Sequence, residues 1–278
     1  YKLVDLLDRE LSVRPSRAIE ELYHSVLEAK RTHKLTNRLN IRELSFFGRK
    51  QELSQLEEYL SLVETGEAVG PFLVMGQSGT GKKRLLRQLV LMSNRSFNFI
   101  KVEGKATSQR YEGSAWNDLR QALEKMGDEM GISLLEEEDD LISVWNQLQS
   151  LSKEKPLLIL LENAQWIDAV SLEKVKQLEE RRNQEKWQLI FTAEEPLPAS
   201  FVNFLGSLKV EKRLSQLELT NFDPSESRAL LKGELGAIEP AVMEQMVEWS
   251  EGSPFLLSSY IEEWKENENL EPLPDIIQ

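Results

Sequence analysis

Apolar residues are arranged in two ways along this chain, and the alternation between them sets the expected fold. In some stretches they recur every three to four positions, the period of one helix face. In others four or five run together, as in a strand buried on both sides. The first thirty residues are of the first kind: Leu3, Leu6, Leu7 and Leu11, then Ile19, Leu22, Tyr23, Val26 and Leu27, predict two amphipathic helices. Pro15 ends the first, and Ser16 with Glu20 resembles a cap for the second. The polar stretch from Arg31 to Asn40 has no period and reads as a linker.

Beyond it the two patterns alternate. A helix with Leu53, Leu56, Leu60 and Leu62 on its apolar face precedes the run Pro71 to Met75, a buried strand that ends at Gly76. A helix over 84–92 comes next, then a strand over 98–102, helices over 116–126 and 140–151, a strand over 157–161, a helix over 171–182 and a strand over 188–192. Strands alternating with helices predict an α/β fold, a mostly parallel sheet with helices on both faces. From about Thr220 only helical periods remain, over 224–231, 240–249 and 255–264.

Composition narrows the chemistry. The 278 residues are enough for one large or two modest domains, each with its own core. Thirty-four Lys and Arg against 47 Asp and Glu give a formal charge of −13, the wrong sign for a surface that binds nucleic acid throughout. There is no cysteine, which excludes disulfides, thiolate catalysis and cysteine-held zinc, and the two histidines, His24 and His33, leave little for imidazole metal sites. No apolar run reaches the roughly 18 residues of a spanning helix and no secretion signal opens the chain, so a cytoplasmic protein with no membrane partner is expected. The chain begins at Tyr1 and stops at Gln278 after an acidic stretch, so it is expected to be a piece of something longer.

What chemistry remains is concentrated after the first strand. Gly76-Gln77-Ser78-Gly79-Thr80-Gly81-Lys82-Lys83 fits G-x-x-x-x-G-K, the P-loop, in every position but the last. In such a loop the glycines let backbone amides turn toward a phosphate, the helix N-terminus adds positive potential, and the lysine reaches the outer phosphates. The last position calls for Ser or Thr, whose hydroxyl ligates Mg²⁺. Lys83 stands there instead, and an ammonium repels a cation. Either it points to solvent, or it lies near the phosphates and partly stands in for the metal.

The second half of such a site is an apolar strand ending in an acid for the metal, often with a second acid that activates water. Here the strand 157–161 ends in Glu162-Asn163. Glu162 can reach a metal through water, so it is at best a weak metal ligand. Asn163 cannot accept a proton, and loss of a general base typically slows a reaction about 10²- to 10⁴-fold. Glu162 and Asn163 are therefore a degenerate catalytic pair.

Taken in order, these segments resemble the AAA-like signal-transduction ATPases called STAND, as found in large bacterial regulators. The carriers of the resemblance are Phe46-Phe47-Gly48-Arg49, the P-loop, the strand ending Glu162-Asn163-Ala164-Gln165-Trp166-Ile167-Asp168, and Gly252-Ser253-Pro254-Phe255-Leu256, from about Ser45 to Trp264. The resemblance implies that Phe47, Gly48, Arg49 and Pro254 flank an adenine, that ATP or ADP is the cofactor, and that a helical lid closes on a P-loop core. The segment Leu7 to Leu27 is similar to the end of a bacterial transcriptional activator domain, a helical-repeat module. The implied organisation is 1–33 for the end of that domain, 34–42 for a linker, 43–218 for the core, 219–268 for the lid and 269–278 for a linker to a further region. DNA would then be read by a domain that precedes this stretch, and oligomerisation would run through the ATPase module.

Three departures from the family pattern bear on activity: Lys83, the Glu162-Asn163 pair, and Glu194-Glu195 before Pro196, where the look-alikes carry an arginine. They put Mg²⁺ in question. The leading expectation is a nucleotide-binding switch module of a cytoplasmic bacterial transcriptional regulator, with hydrolysis weak or lost. The alternatives are a nucleotide-free scaffold for protein interaction and a slow ATPase using Glu162 for the metal and Asp168 or water for the base. The acidic run Glu136 to Asp140 reads as a solvated loop or helix start, and the six tryptophans as core residues.

Overall fold

The computed structural model describes residues 46–267 apart from 68, 108–110, 133–139, 154, 183–184 and 211–213. The two N-terminal helices, the linker 34–42, most of the acidic run and the segment 269–278 lie outside the described residues. Five strands, β1 (Phe72–Gly76), β2 (Asn98–Glu103), β3 (Leu157–Glu162), β4 (Trp187–Ala193) and β5 (Ser215–Leu219), form one sheet in the order β2-β3-β4-β1-β5. Every neighbouring pair is parallel. α1 (Lys50–Thr65) precedes β1; parallel strands need crossovers, and the next helices supply them: α2 (Lys82–Ser93), α3 (Ser114–Met130), α4 (Asp140–Leu151), α5 (Ala169–Arg181) and α6 (Ala199–Val210). Three more helices, α7 (Pro224–Leu235), α8 (Pro240–Ser250) and α9 (Pro254–Asn267), come after the last strand.

The strand pattern explains the layering. Alternate residues point to opposite faces, so Leu73, Ile100, Ile159 and Phe191 meet α3 to α6 on one side. Val74, Leu158, Leu160 and Ile190 meet α1 and α2 on the other. Because both faces are covered, β3 and β4 are buried along their whole length, which is why β3 reads as an apolar run up to Glu162 and β4 is interrupted only by the buried polar residues Gln188 and Thr192. The last three helices bury a core of their own around Leu231, Met246, Leu257 and Ile261, against which Phe47 packs.

The α/β sheet expected from the sequence is therefore the fold, with helices on both faces. Two elements escaped the pattern. β5 is a five-residue strand in which only Leu217 and Leu219 are buried, so it carries no continuous apolar run. α6 buries Phe201, Phe204, Leu205 and Leu208 yet leaves Val202 exposed, and apolar residues spread around its circumference blur the period. The face of α1 also differs: Tyr59 and Val63 are buried with Leu56 and Leu60, while Leu53 and Leu62 are only partly covered. Of the tryptophans, Trp116 and Trp187 are fully buried in the larger core, with Trp145 packed edge-on to Trp187. Among the described residues no helix is long and apolar enough to cross a membrane.

The parallel register also brings the strand ends together. Gly76, Glu103, Glu162 and Ala193 end their strands at the same edge of the sheet, and Glu103 pairs directly with Glu162. In open parallel sheets that edge, beyond the carboxyl ends of the strands, is where ligands bind.

Candidate functional site

The loop from Gly76 to Lys82 leaves β1 at this edge and turns into α2. Gly81, the residue before the helix, has φ 96°, a conformation that disfavours any side chain. Thr80 steadies the turn by donating from its hydroxyl to the Gln77 carbonyl at 2.8 Å. No side chain caps α2 and no acid lies in its first turn, so its leading amides and their partial positive charge face the cleft. The cleft has a volume of about 460 Å³ and is bordered by Ser78, Gly79, Lys82, Lys83, Asn163 and Glu194, among others.

Lys82 begins α2 and is only 7% exposed. Its ammonium has three hydrogens and meets three acceptors: the carbonyls of Gly76 at 2.8 Å and Gln77 at 2.9 Å, and Glu194 Oε2 at 3.1 Å. The sequence places two acids, Glu194 and Glu195, after the fourth strand without separating their roles. The structure puts Glu195 in solvent and brings Glu194 to the lysine.

Lys83 borders the loop cleft and does not point freely to solvent. Its ammonium hydrogen-bonds Glu103 Oε1 and lies 3.8 Å from Glu162 Oε2. Lys101, from β2, approaches the same Glu162 oxygen at 2.8 Å, an ion pair without hydrogen-bond alignment. Glu162 is buried, whereas both lysines are about half exposed. Asn163 adopts a left-handed backbone (φ 51°), donates its amide N–H to Thr192 Oγ1 at 3.0 Å and its side-chain amide to Glu103 at 3.3 Å. The hydrogen bond from Lys83 holds the Glu103 carboxyl below its ordinary range, against the opposing effect of partial burial.

Mg²⁺ takes six oxygens in near-octahedral geometry at about 2.0 to 2.1 Å. These residues do not offer that. The hydroxyl position is an ammonium, the buried carboxylate oxygen already faces two ammonium groups, and Asn163 turns a donor toward Glu103. An ion on Glu162 Oε2 would lie within about 5 Å of Lys101, a repulsion of roughly 7 kcal/mol at an effective dielectric constant of about 20. Among the described residues no group of three or more acids or histidines is arranged to hold a metal. The donor set does not fit the ion.

Asp168, the alternative base, is committed elsewhere. Its carboxylate accepts from Ser171 N at 2.9 Å, Ser171 Oγ at 2.7 Å, Gly113 N at 2.8 Å and Ala115 N at 3.4 Å, capping α5 and tying it to α3. Burial alone would raise its pKa, but these bonds outweigh burial and hold it below the ordinary carboxylate value.

The other end of the site is aromatic. Phe47, Arg49 and Pro254 border one hollow together with Phe222, and this hollow shares Gly81, Arg84, Pro254 and Ser258 with the loop cleft. Arg49 lies 4.7 Å above the Phe222 ring, and donates to the carbonyls of Thr80 (3.3 Å) and Thr220. Phe47 meets Phe222 edge-on at 6.2 Å. Gly48 lies against that same ring without bordering the hollow. The hollow is closed by α9, whose Phe255 N–H donates to the Gly79 carbonyl at 3.2 Å. The four segments that carry the family resemblance, far apart in sequence, thus meet at one sheet edge. Phe222, Lys101, Glu103 and the particular role of Glu194 were missed. Only Phe222 had a local signal, an aromatic between β5 and the capped start of α7, and it was hidden by the failure to recognise β5.

A family model described as AAA ATPase domain matches residues 45–191. Among solved structures the chain is similar to a Walker-type ATPase of Pyrococcus abyssi, with 19% identity and a TM-score of 0.61 over 82% of this chain and 70% of that one. It is also similar to the Aeropyrum pernix ORC1 protein in complex with DNA, with 16% identity and a TM-score of 0.54 over 84% of this chain and 64% of that one. For the Aeropyrum pernix ORC2 protein in ADPNP-ADP complexes the figures are 17% and 0.54 over 85% and 68%. The chain thus spans about two thirds of the length of these proteins, and at such identities the likeness is one of fold. No curated protein matches the chain.

Proposed function

From the premise that this chain belongs to the AAA ATPase domain family, through residues 45–191, we propose that it is a nucleotide-binding switch module, taking ATP or ADP and hydrolysing it weakly or not at all. One observation carries the reading: the open N-terminus of α2 and the aromatic hollow at Phe47, Arg49, Phe222 and Pro254 share walls, so a phosphate chain in the cleft would carry its base to the hollow, which at about 30 Å³ must open to admit it. The amides of Gly79 to Lys83 and the Lys82 ammonium take the phosphates, and the base lies between Pro254 and the Arg49–Phe222 stack. The ADPNP-ADP complexes of the similar ORC2 protein support the choice of adenine nucleotides.

Weak or absent turnover follows from the acids. Asn163 holds no proton acceptor at the base position, and Asp168 has four hydrogen-bond donors already on its carboxylate. In this reading 43–218 is the core and 219–268 the lid. Nucleotide favours one arrangement of the two, and the shift is passed on to the rest of a cytoplasmic bacterial transcriptional regulator, whose DNA contact lies in another domain and whose oligomerisation runs through this module. The charge of −13 agrees with DNA being read elsewhere.

A nucleotide-free scaffold is the second reading, favoured by the saturation of Lys82 by Gly76, Gln77 and Glu194. Calorimetric titration with ADP and with ATP separates the two. Binding is expected, and Lys82→Ala weakens it by about 10-fold or more, as loss of a charge-assisted contact does. No heat with either nucleotide, from protein shown to be folded, would leave the scaffold.

A further inference from the structure

Resting on the nucleotide-switch reading, we infer that the ligand is the metal-free nucleotide, because Lys83 is a resident cation seated where the divalent ion would otherwise sit. In the resemblance drawn from the sequence, position 83 and the acid ending β3 hold the metal between them. Here the side chain from position 83 and the acid ending β3 still face each other, with an ammonium nitrogen 3.8 Å from Glu162 Oε2. The ammonium is fixed from the other side by a hydrogen bond to Glu103. Glu103 is opposite Glu162 because the β2–β3 register pairs them, so two like charges stand side by side at the strand ends. Such a pair needs a positive charge between or beside it. Lys83 and Lys101 supply two, and the four groups sum to zero.

Neutrality decides what the site accepts. A divalent ion entering this cluster would give it a net charge of +2 and must expel an ammonium from a buried carboxylate. A nucleotide arriving without metal meets no such barrier, since the cluster is already balanced and Lys83 borders the loop cleft. Mg²⁺ in solution therefore does not help binding. It only sequesters part of the free nucleotide.

The test uses the full chain and ADP, titrated calorimetrically in EDTA and in excess Mg²⁺. The dissociation constant is expected to change by less than about 3-fold, or to become larger with Mg²⁺. Two variants, Lys83→Thr and Lys83→Thr with Lys101→Ala, restore an oxygen at position 83 and remove the competing charge. At least one of them, folded by circular dichroism, is expected to bind ADP about 10-fold more tightly with Mg²⁺ than without. Binding of Mn²⁺ with ADP, read by the loss of the free-ion paramagnetic resonance signal, follows the same order: none in the parent chain, some in a variant. Parent protein that binds ADP much more tightly with Mg²⁺ overturns the inference while leaving the nucleotide reading intact. So do two folded variants that stay indifferent to the ion. ADP that binds under neither condition overturns both.

Discussion

Lys82 has three hydrogens and three acceptors, so any phosphate that reaches it must replace one of them. The two carbonyls belong to the loop itself, and the replaceable partner is the Glu194 carboxylate, whose residue is 28% exposed. In the proposed complex the outermost phosphate of a triphosphate would approach Lys82 from the side that carboxylate occupies, and would be repelled by it. Glu194→Gln is therefore expected to tighten ATP binding about 10-fold and ADP binding less, while Glu195→Gln, whose side chain faces solvent, changes neither. Parallel titrations of the two variants check this, and equal effects at both positions would discard the assignment. The loop itself was legible in the sequence because its residues are contiguous. Which of two adjacent glutamates reaches the lysine was not legible, since that depends on how the chain leaves β4, 112 positions away. The same holds for Glu103, whose place opposite Glu162 is a matter of strand register rather than of spacing.

Among the elements, α5 shows how a residue of a motif can serve architecture. Asp168 stands six residues past Glu162 in the stretch that carries the family resemblance, and was weighed as a base. It caps α5 and accepts amides from the start of α3, partners 53 and 55 positions away that no local pattern reveals. Asp168→Ala leaves those donors unpaired, and is expected to destabilise the fold by about 2 to 4 kcal/mol. The pH dependence has a definite sign. The folded-state pKa lies below the ordinary value of 3.8, so the carboxylate's contribution is fully present above that value and is lost as pH falls through the lower, folded one. Denaturation of parent and variant between pH 7 and pH 3 should show a constant gap down to about pH 4 that narrows only below it; a gap that closes near neutrality would mean another group is responsible. Most helices and strands were legible because their periods are clean. β5 and α6 were not, the one being short and half polar, the other apolar all round.

At the scale of the whole molecule, one close backbone approach holds the chain that leaves the sheet for the three C-terminal helices. Phe222 N donates to Gly252 O at 2.8 Å, and a Cβ added to Gly252, which has φ 74°, would come within 2.0 Å of the Phe222 carbonyl. The approach therefore admits only glycine. Gly252→Ala must push apart the chain entering α7 and the turn before α9, displacing Phe222 and Pro254 together. Expected are a melting point lower by about 5 °C or more and nucleotide binding weakened by about 10-fold, measured by calorimetry with and without ligand. Unchanged binding in the variant would show that the helical group and the ligand are independent. The sequence revealed the helical character of this group, and its motif residues, but not that its glycine sets the spacing.

The bond from Phe255 to Gly79 gives α9 a mechanical meaning. Fourteen residues make a rod about 21 Å long, pinned at one end to the phosphate loop and ending at Asn267. Turned by about 10° around Pro254, its far end sweeps about 4 Å while the amide at Phe255 shifts by a fraction of an ångström. The rod is a lever with unequal arms. A rotation that shifts the Phe255 amide by a fraction of an ångström would displace the far end by the length of a side chain, and would carry with it the core that Leu257, Tyr260 and Ile261 share with α7 and α8.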